Sequence, residues 1–268
     1  MRTLHPNDKA MLLAIAVIFA ASLGYGHVNH GLMLALGVGG ALLALSGGAA
    51  LMGRGGTTSQ IALPALGMAM VGLLIHSGRG HAETHFAVFA FLACTIVYRH
   101  WLPVVAGAAT IAIHHLSFNY FQQWGWGPIC FTDPGLGKVI EHASYVIVQS
   151  AALIGLAMRA RRDFAAGEQL QSVAERLVAA DGRIDFSAAR VADPQPTTRK
   201  LLEALAQVEN SIREVRNSVD SINTAASEIA VGNGDLGHRT EQAASSLQQT
   251  ASSMEQLTGT VKQTADSA

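Results

Sequence analysis

Two hydrophobic patterns divide the chain. Up to Met158 apolar residues run in blocks, and beyond it they recur singly at steps of three and four. The blocks cover residues 10–23, 30–52, 61–77, 83–98, 101–124 and 138–158, separated by glycine, asparagine, proline or charge. Several fall short of the roughly 20 residues a bilayer core requires, but flanking Gly, Tyr and Ser positions extend them. The first block is not a cleaved leader, because Gly24, Tyr25, Gly26 and His27 follow it instead of a small-x-small site, and further blocks come after. The pattern predicts an all-α protein. A polytopic membrane bundle of about six transmembrane helices occupies 1–158, a polar connector 159–200, and a long coiled-coil helix 201–268.

Charge sharpens this division. Before Met158 there are six Lys or Arg and four Asp or Glu, too few to cover a water-soluble domain, whereas the rest of the 19 acids and 18 bases crowd into the tail. A single soluble globular enzyme is excluded. Arg2, Lys9, Arg54, Arg99, Arg159, Arg161 and Arg162 fall on one side of the predicted spans, against Arg79 and Lys138 on the other. The positive-inside rule then places both termini in the cytoplasm. Tyr98 and Trp101 fit an inner aromatic belt, and Tyr25, Tyr120, Trp124 and Trp126 an outer one. Gly37, Gly39, Gly40, Gly47 and Gly48 would let helices approach closely in lipid. The net charge of -1 gives no electrostatic case for nucleic acid.

Histidines are placed unevenly along these spans. Of 11, His27, His30, His76, His81, His85, His114, His115 and His142 lie in the outer halves of spans or in outer loops. His115 follows the inner-side Trp101 by 14 residues. At about 1.5 Å per residue that is roughly 21 Å up, in the outer third of the hydrocarbon. His81 and His85 share a helix face, as do His115 with Asn119 and His142 with Tyr145 and Gln149. His114 and His115 point about 100° apart, so at most one should join a given site.

One interfacial histidine would mean little, but ionisable residues inside a bundle are rare and usually functional. The set His76, His81, His85, His115 and His142 is therefore the candidate metal site, with Glu83 and Glu141 at the same level as acids that could orient an imidazole. Copper or zinc suits such a set, haem b held by two axial histidines is the alternative, and a proton or redox sensor without cofactor is the third reading. Softer ligation of copper would draw on Met33 or on Cys130 in the outer loop, Cys94 being too deep. Asp133-Pro134-Gly135 and the Gly125 to Pro128 run are turn chemistry, and His81-Ala-Glu83-Thr-His85 is not the zinc-protease pattern. No phosphate loop, nucleophile elbow or Cys-x-x-Cys pair occurs.

In the tail, Leu201, Leu205, Val208, Ile212, Val215, Val219, Ile222, Ala226 and Ile229 trace the seam of a coiled coil. It stays in phase through Leu236, Ala243, Leu247, Met254, Leu257 and Val261, interrupted around Gly232, Asn233, Gly234 and Gly237. A heptad seam is first a dimerisation device, so a homodimer is expected. Upstream, residues 167–180 should form a short helix, Asp181-Gly182 a break and Asp193-Pro-Gln-Pro196 a stiff turn.

The run from Glu228 through Asn233-Gly-Asp-Leu-Gly-His-Arg-Thr-Glu241 to Ala265 resembles the first adaptation helix of bacterial methyl-accepting chemotaxis receptors. That resemblance implies deamidation and methylation at Gln242, Gln249 and Gln256, spaced by sevens and all at exposed c positions when Leu247 is a. The connector is similar to the family's HAMP relay, with residues 181–186 at its turn and 201–215 as its second helix, though the Asp-Glu-x-Gly signature is absent. Tyr98-Arg-His-Trp101 and His114-His-Leu-Ser-Phe-Asn119 resemble an integral-membrane input domain of such receptors.

The resemblance implies a receptor, not an enzyme. Its partners would be the lipid bilayer, a second copy, the methyltransferase and the methylesterase. Because Ala268 falls before the family's hairpin tip, the chain reads as a C-terminally truncated piece of a longer receptor, in which the chemotaxis kinase and coupling protein would also be partners. The rival readings are a membrane metal transporter or haem electron carrier with a dimerising tail, and the input half of a sensor kinase or cyclase.

Overall fold

A computed structural model describes residues 4–178, 182–187 and 191–267. Among the described residues seven α-helices follow one another: α1 Pro6–Val28, α2 Leu32–Gly53, α3 Thr57–Ser77, α4 Ala82–Cys94, α5 Trp101–Gln123, α6 Leu136–Leu177 and α7 Pro196–Ser267. A 3-10 turn, Thr95–Tyr98, prolongs α4, and no strand occurs among the described residues apart from a single bridge between Val178 and Ile184. The chain divides into two compact units, Met1–Glu168 and Gln169–Ala268. The first extends past the hydropathy limit at Met158, and the Arg99 guanidinium, 3.7 Å from the centre of the Phe164 ring, ties this stretch to the bundle.

Among the described residues five helices, α1, α2, α3, α5 and α6, are long and apolar enough to cross a membrane. The predicted fourth span is shorter, an apolar helix over Ala82–Tyr98 that changes to 3-10 winding near its end. In the first unit α3 is the hub, packed on α1, α2, α4 and α5 and the most buried of the long apolar helices. Leu63, Met68, Met70, Val71 and Ile75 fill its contacts with Met11, Ile15, Phe91, Val104 and Ile111.

Small residues admit these contacts at other places than the sequence suggests. Of the five glycines expected to carry close packing, Gly37, Gly40, Gly47 and Gly48 have nothing within 4 Å of an added Cβ, and Gly39 alone faces a neighbour, the Phe19 ring. The tightest approach is in α3, where a Cβ at Gly67 would stand 2.0 Å from the Phe91 ring; one at Gly72 would stand 2.7 Å from the His114 ring.

The turns put cations where glycine is usual. Arg54, Arg79 and Arg99 adopt left-handed backbone after α2, α3 and the 3-10 turn, at φ 46°, 57° and 50°. A positive side chain beside carbonyl-rich helix ends offsets part of that strain. At the end of the bundle that carries Arg54 and Arg99, Asp8 is fully buried: it accepts from Gly55 N (2.7 Å), Ser59 Oγ (3.0 Å) and Tyr98 Oη (2.7 Å). Tyr98 is therefore an interior partner of Asp8, not a member of an interfacial belt, whereas Trp101, Tyr25, Tyr120, Trp124 and Trp126 are exposed as expected.

One local expectation for the tail is corrected. Residues 159–177 continue α6 without a break, because arginine, alanine, glutamate and leucine dominate there and favour helix. The glycines at 232, 234 and 237, where the apolar seam is interrupted, leave α7 helical over its 72 residues, each costing only about 1 kcal/mol against alanine. Within the second unit Gln169 clamps the start of α7, its Oε1 accepting from Gln195 N at 2.9 Å, while Val173 and Thr198 are buried. The expected break at Asp181 lies outside the described residues; Gly182 next to it has φ +80°. The heptad positions Val208, Ile212, Val215, Ile222, Leu247, Met254 and Val261 are all exposed on the single chain.

Candidate functional site

Three helices and one loop meet at the end of the bundle that carries the histidines. His85 stands one turn into α4, His115 on α5 and His142 on α6. Each ring is held by the carbonyl one turn before it: His85 Nδ1 lies 3.0 Å from His81 O, His115 Nδ1 3.0 Å from Ile111 O, and His142 Nδ1 2.9 Å from Lys138 O. A ring nitrogen bonded to a carbonyl must carry the proton, so Nε2 of each imidazole presents a lone pair. The ring centres are 5.1 Å apart for His85 and His142, 5.4 Å for His85 and His115, and 5.6 Å for His115 and His142.

Phe131 caps this triangle. Its ring centre is 5.5, 5.4 and 5.2 Å from those of His85, His115 and His142, so the four rings form a tetrahedron. Phe131 and Cys130 are both buried, on the loop between α5 and α6. Gln122 fixes them there. Its Oε1 accepts from Cys130 N (2.9 Å) and Phe131 N (3.1 Å), and its Nε2 donates to Phe131 O (2.6 Å). The loop lies against Gly80, whose φ is +71° and where a Cβ would meet the Phe131 backbone at 2.6 Å.

The Cys130 thiol completes the constellation. One ligand atom from each of His85, His115 and Cys130 lies within 4.8 Å of the others, all three residues being buried. His85 Nε2 is buried with no hydrogen-bond partner, an arrangement that costs free energy unless something meets it. Burial pushes the Cys130 thiol up to about 12. On its far side Sγ is 4.0 Å from His114 Nδ1, and the His114 ring lies 5.4 Å from that of His115.

Below the rings, an apolar cavity of about 500 Å³ opens between α4, α5 and α6. Val88, Ile111, Val146 and Ile154 line it together with His85, His115 and His142, and so does Ser150, whose buried Oγ has no partner.

Of the five histidines expected at a metal, the structure brings His85, His115 and His142 together. His81 is exposed and acts through its backbone, capping α4 and holding the His85 ring. His76 turns to the loop, its Nδ1 accepting from Ile129 N at 2.9 Å, which puts the proton on Nε2. The acids expected beside the imidazoles, Glu83 and Glu141, are exposed, and backbone carbonyls orient the rings in their place. The predicted polar stripe on α6 splits: Gln149 turns inward to donate to Phe89 O at 3.0 Å, while Tyr145 is exposed. Of the adjacent pair, His115 faces His85, while His114 packs on Gly72 with its Nδ1 4.0 Å from Cys130 Sγ. Cys130, which the sequence offers as a softer copper ligand, stands with the imidazoles. Gln122, which places it, carried no signal in the sequence.

No protein-family model matches this chain, and no curated protein or solved structure is similar to it.

Proposed function

We propose that this chain is a bacterial transmembrane receptor of the methyl-accepting chemotaxis kind. Its input is the ring cluster, on the outer side of a six-span inner-membrane bundle. Its output is the seam of α7, paired with a second copy and adjusted at Gln242, Gln249 and Gln256. It is a signalling protein and not an enzyme.

One observation carries this reading: His142, a member of the ring cluster, sits on α6, and α6 continues as a single helix to Leu177. A ligand that binds more tightly to one spacing of the rings biases α6 against α4 and α5 by that difference in affinity. The cavity of about 500 Å³ leaves α6 room for a displacement, and shifts of about 1–2 Å are the usual currency of such helices. At the other end the seam residues are exposed on the single chain, as a helix awaiting a partner would present them. Methylation of a deamidated c position removes a negative charge beside the seam and so biases the same packing equilibrium.

The test is to incubate membranes carrying the chain with a chemoreceptor deamidase, methyltransferase and labelled S-adenosylmethionine, then map labelled peptides by mass spectrometry. Label at 242, 249 and 256 is expected, at a rate that changes when His142 is replaced. Absence of label, or label confined to other positions, refutes the reading. Substrate turnover by proteoliposomes would replace it with a transporter.

A further inference from the structure

We infer that His85, His115 and Cys130 form a binding site for a thiophilic late transition-metal ion, copper in preference to zinc, with His142 beside it and Phe131 as its cap. This names the ligand of the ring cluster; it rests on the receptor reading for its consequence but not for the binding itself.

Four observations converge on an ion. The donor set is two imidazoles and a thiol drawn from α4, α5 and the loop, with ligand atoms within 4.8 Å. The tautomers of His85 and His115 are set by backbone carbonyls so that Nε2 is the free nitrogen, the arrangement that metal-bound histidines show. The buried Nε2 of His85 makes no hydrogen bond, although the Cys130 backbone interacts with the ring. Metal–nitrogen bonds of about 2.0–2.1 Å put two tetrahedrally disposed imidazole centres roughly 5 Å apart. The His85–His115 pair stands at 5.4 Å.

The chemistry of the donors selects among ions. Magnesium and calcium take oxygen ligands, and the nearest acids by sequence, Glu83 and Glu141, face outward. Two histidines with one cysteine in a trigonal set favour copper, whereas a structural zinc site needs four ligands. Haem does not fit. Its macrocycle must pass between two axial rings, and His85 and His115 stand edge to face at 5.4 Å with Phe131 against both. Binding exchanges the Cys130 thiol proton for the ion, and the proton leaves to solvent.

Ion binding also supplies a movement. Bonds of about 2.0–2.3 Å require ligand atoms roughly 3.3–3.8 Å apart. A pair of ligand atoms at the 4.8 Å limit would close by about 1 Å on binding, drawing α4, α5 and the Cys130 loop together beside His142.

The experiment uses the full chain in nanodiscs, in a Cys94→Ser background so that Cys130 is its lone thiol. Cu(I) is supplied anaerobically from a chromophoric chelator, and alkylation of Cys130 is followed by mass spectrometry. A single Cu(I) per chain and alkylation slowed about tenfold or more are expected, since only a free thiolate reacts. Cys130→Ser and His115→Gln should lose the ion, whereas His81→Gln and Glu83→Gln should retain it. A folded chain that takes up no Cu(I), equal alkylation rates with and without it, or full uptake by Cys130→Ser would overturn the proposal. Zinc binding that displaces Cu(I) would overturn the preference for copper. Because uptake is read without methylation, loss of uptake with methylation intact refutes the ion alone, and the reverse result refutes the receptor alone.

Discussion

The imidazoles of His85 and His142 meet edge to face with ring centres 5.1 Å apart, joining α4 to α6 across the mouth of an apolar cavity. Together with the His115–His142 and Phe131–His142 contacts it links the thiol-containing cluster to α6. His142→Ala should leave Cu(I) uptake within about tenfold, because the His85, His115 and Cys130 donors remain. It should abolish any ion-dependent change in labelling at Gln242, Gln249 and Gln256. Titration and peptide mapping on the same membranes check both halves.

Gln122 is expected to govern the order of the loop more than any residue of the loop itself. Gln122→Ala removes three hydrogen bonds and strands the N–H groups of Cys130 and Phe131, at about 1–3 kcal/mol. Thermal unfolding in detergent should report the loss. Amide exchange should rise at Cys130 and Phe131 before it rises in α3.

The pH dependence of Cys130 follows from burial. Its thiol is pushed up to about 12, so the protonated form persists far above neutrality and the reactive thiolate is scarce at pH 8. Iodoacetamide should therefore modify folded Cys130 much more slowly than an ordinary thiol, with a rate still climbing above pH 9. The unfolded chain, whose thiol ionises near its usual value, should lose that protection. The same shift makes folding stability fall as pH rises above the ordinary thiol value, since only the unfolded state then gives up its proton.

Gly67→Ala pits two effects against each other. In a helix interior alanine gains about 1 kcal/mol over glycine. Here its Cβ would stand 2.0 Å from the Phe91 ring, an overlap worth about 1–3 kcal/mol of destabilisation. A lower melting temperature is expected, with recovery in the double variant Gly67→Ala, Phe91→Leu; a higher one in the single variant would contradict the packing.

At the opposite end of the bundle Asp8 gathers donors from α3, the turn before it and the 3-10 turn after α4. Asp8→Ala leaves the Tyr98 and Ser59 hydroxyls without their acceptor, while Gly55 N–H keeps Ser59 Oγ at 3.2 Å, at a combined cost of about 2–4 kcal/mol. Tyr98→Phe removes one donor while the carboxylate keeps two others, so it should cost about 1 kcal/mol. Denaturation of both variants in the same detergent tests this order.

The apolar blocks, the basic turns and the three-four seam were legible in the sequence because each depends on neighbours a few residues away. Hydropathy over one turn sets a helix, and a heptad sets a face. Thus α1, α2, α3, α5 and much of α6 and α7 lie where periodicity places them, and His85, His115 and His142 could be named from depth alone. What depth could not supply is direction about the helix axis. His76 and His81 share the level of the cluster and turn elsewhere, and four of five stripe glycines face open space. Those choices, with the Gln122 clamp on Cys130 and the pairing of Tyr98 with Asp8, were made only by tertiary packing. Each rests on atoms from distant segments brought within hydrogen-bond or ring-contact range. No local pattern encodes such a distance.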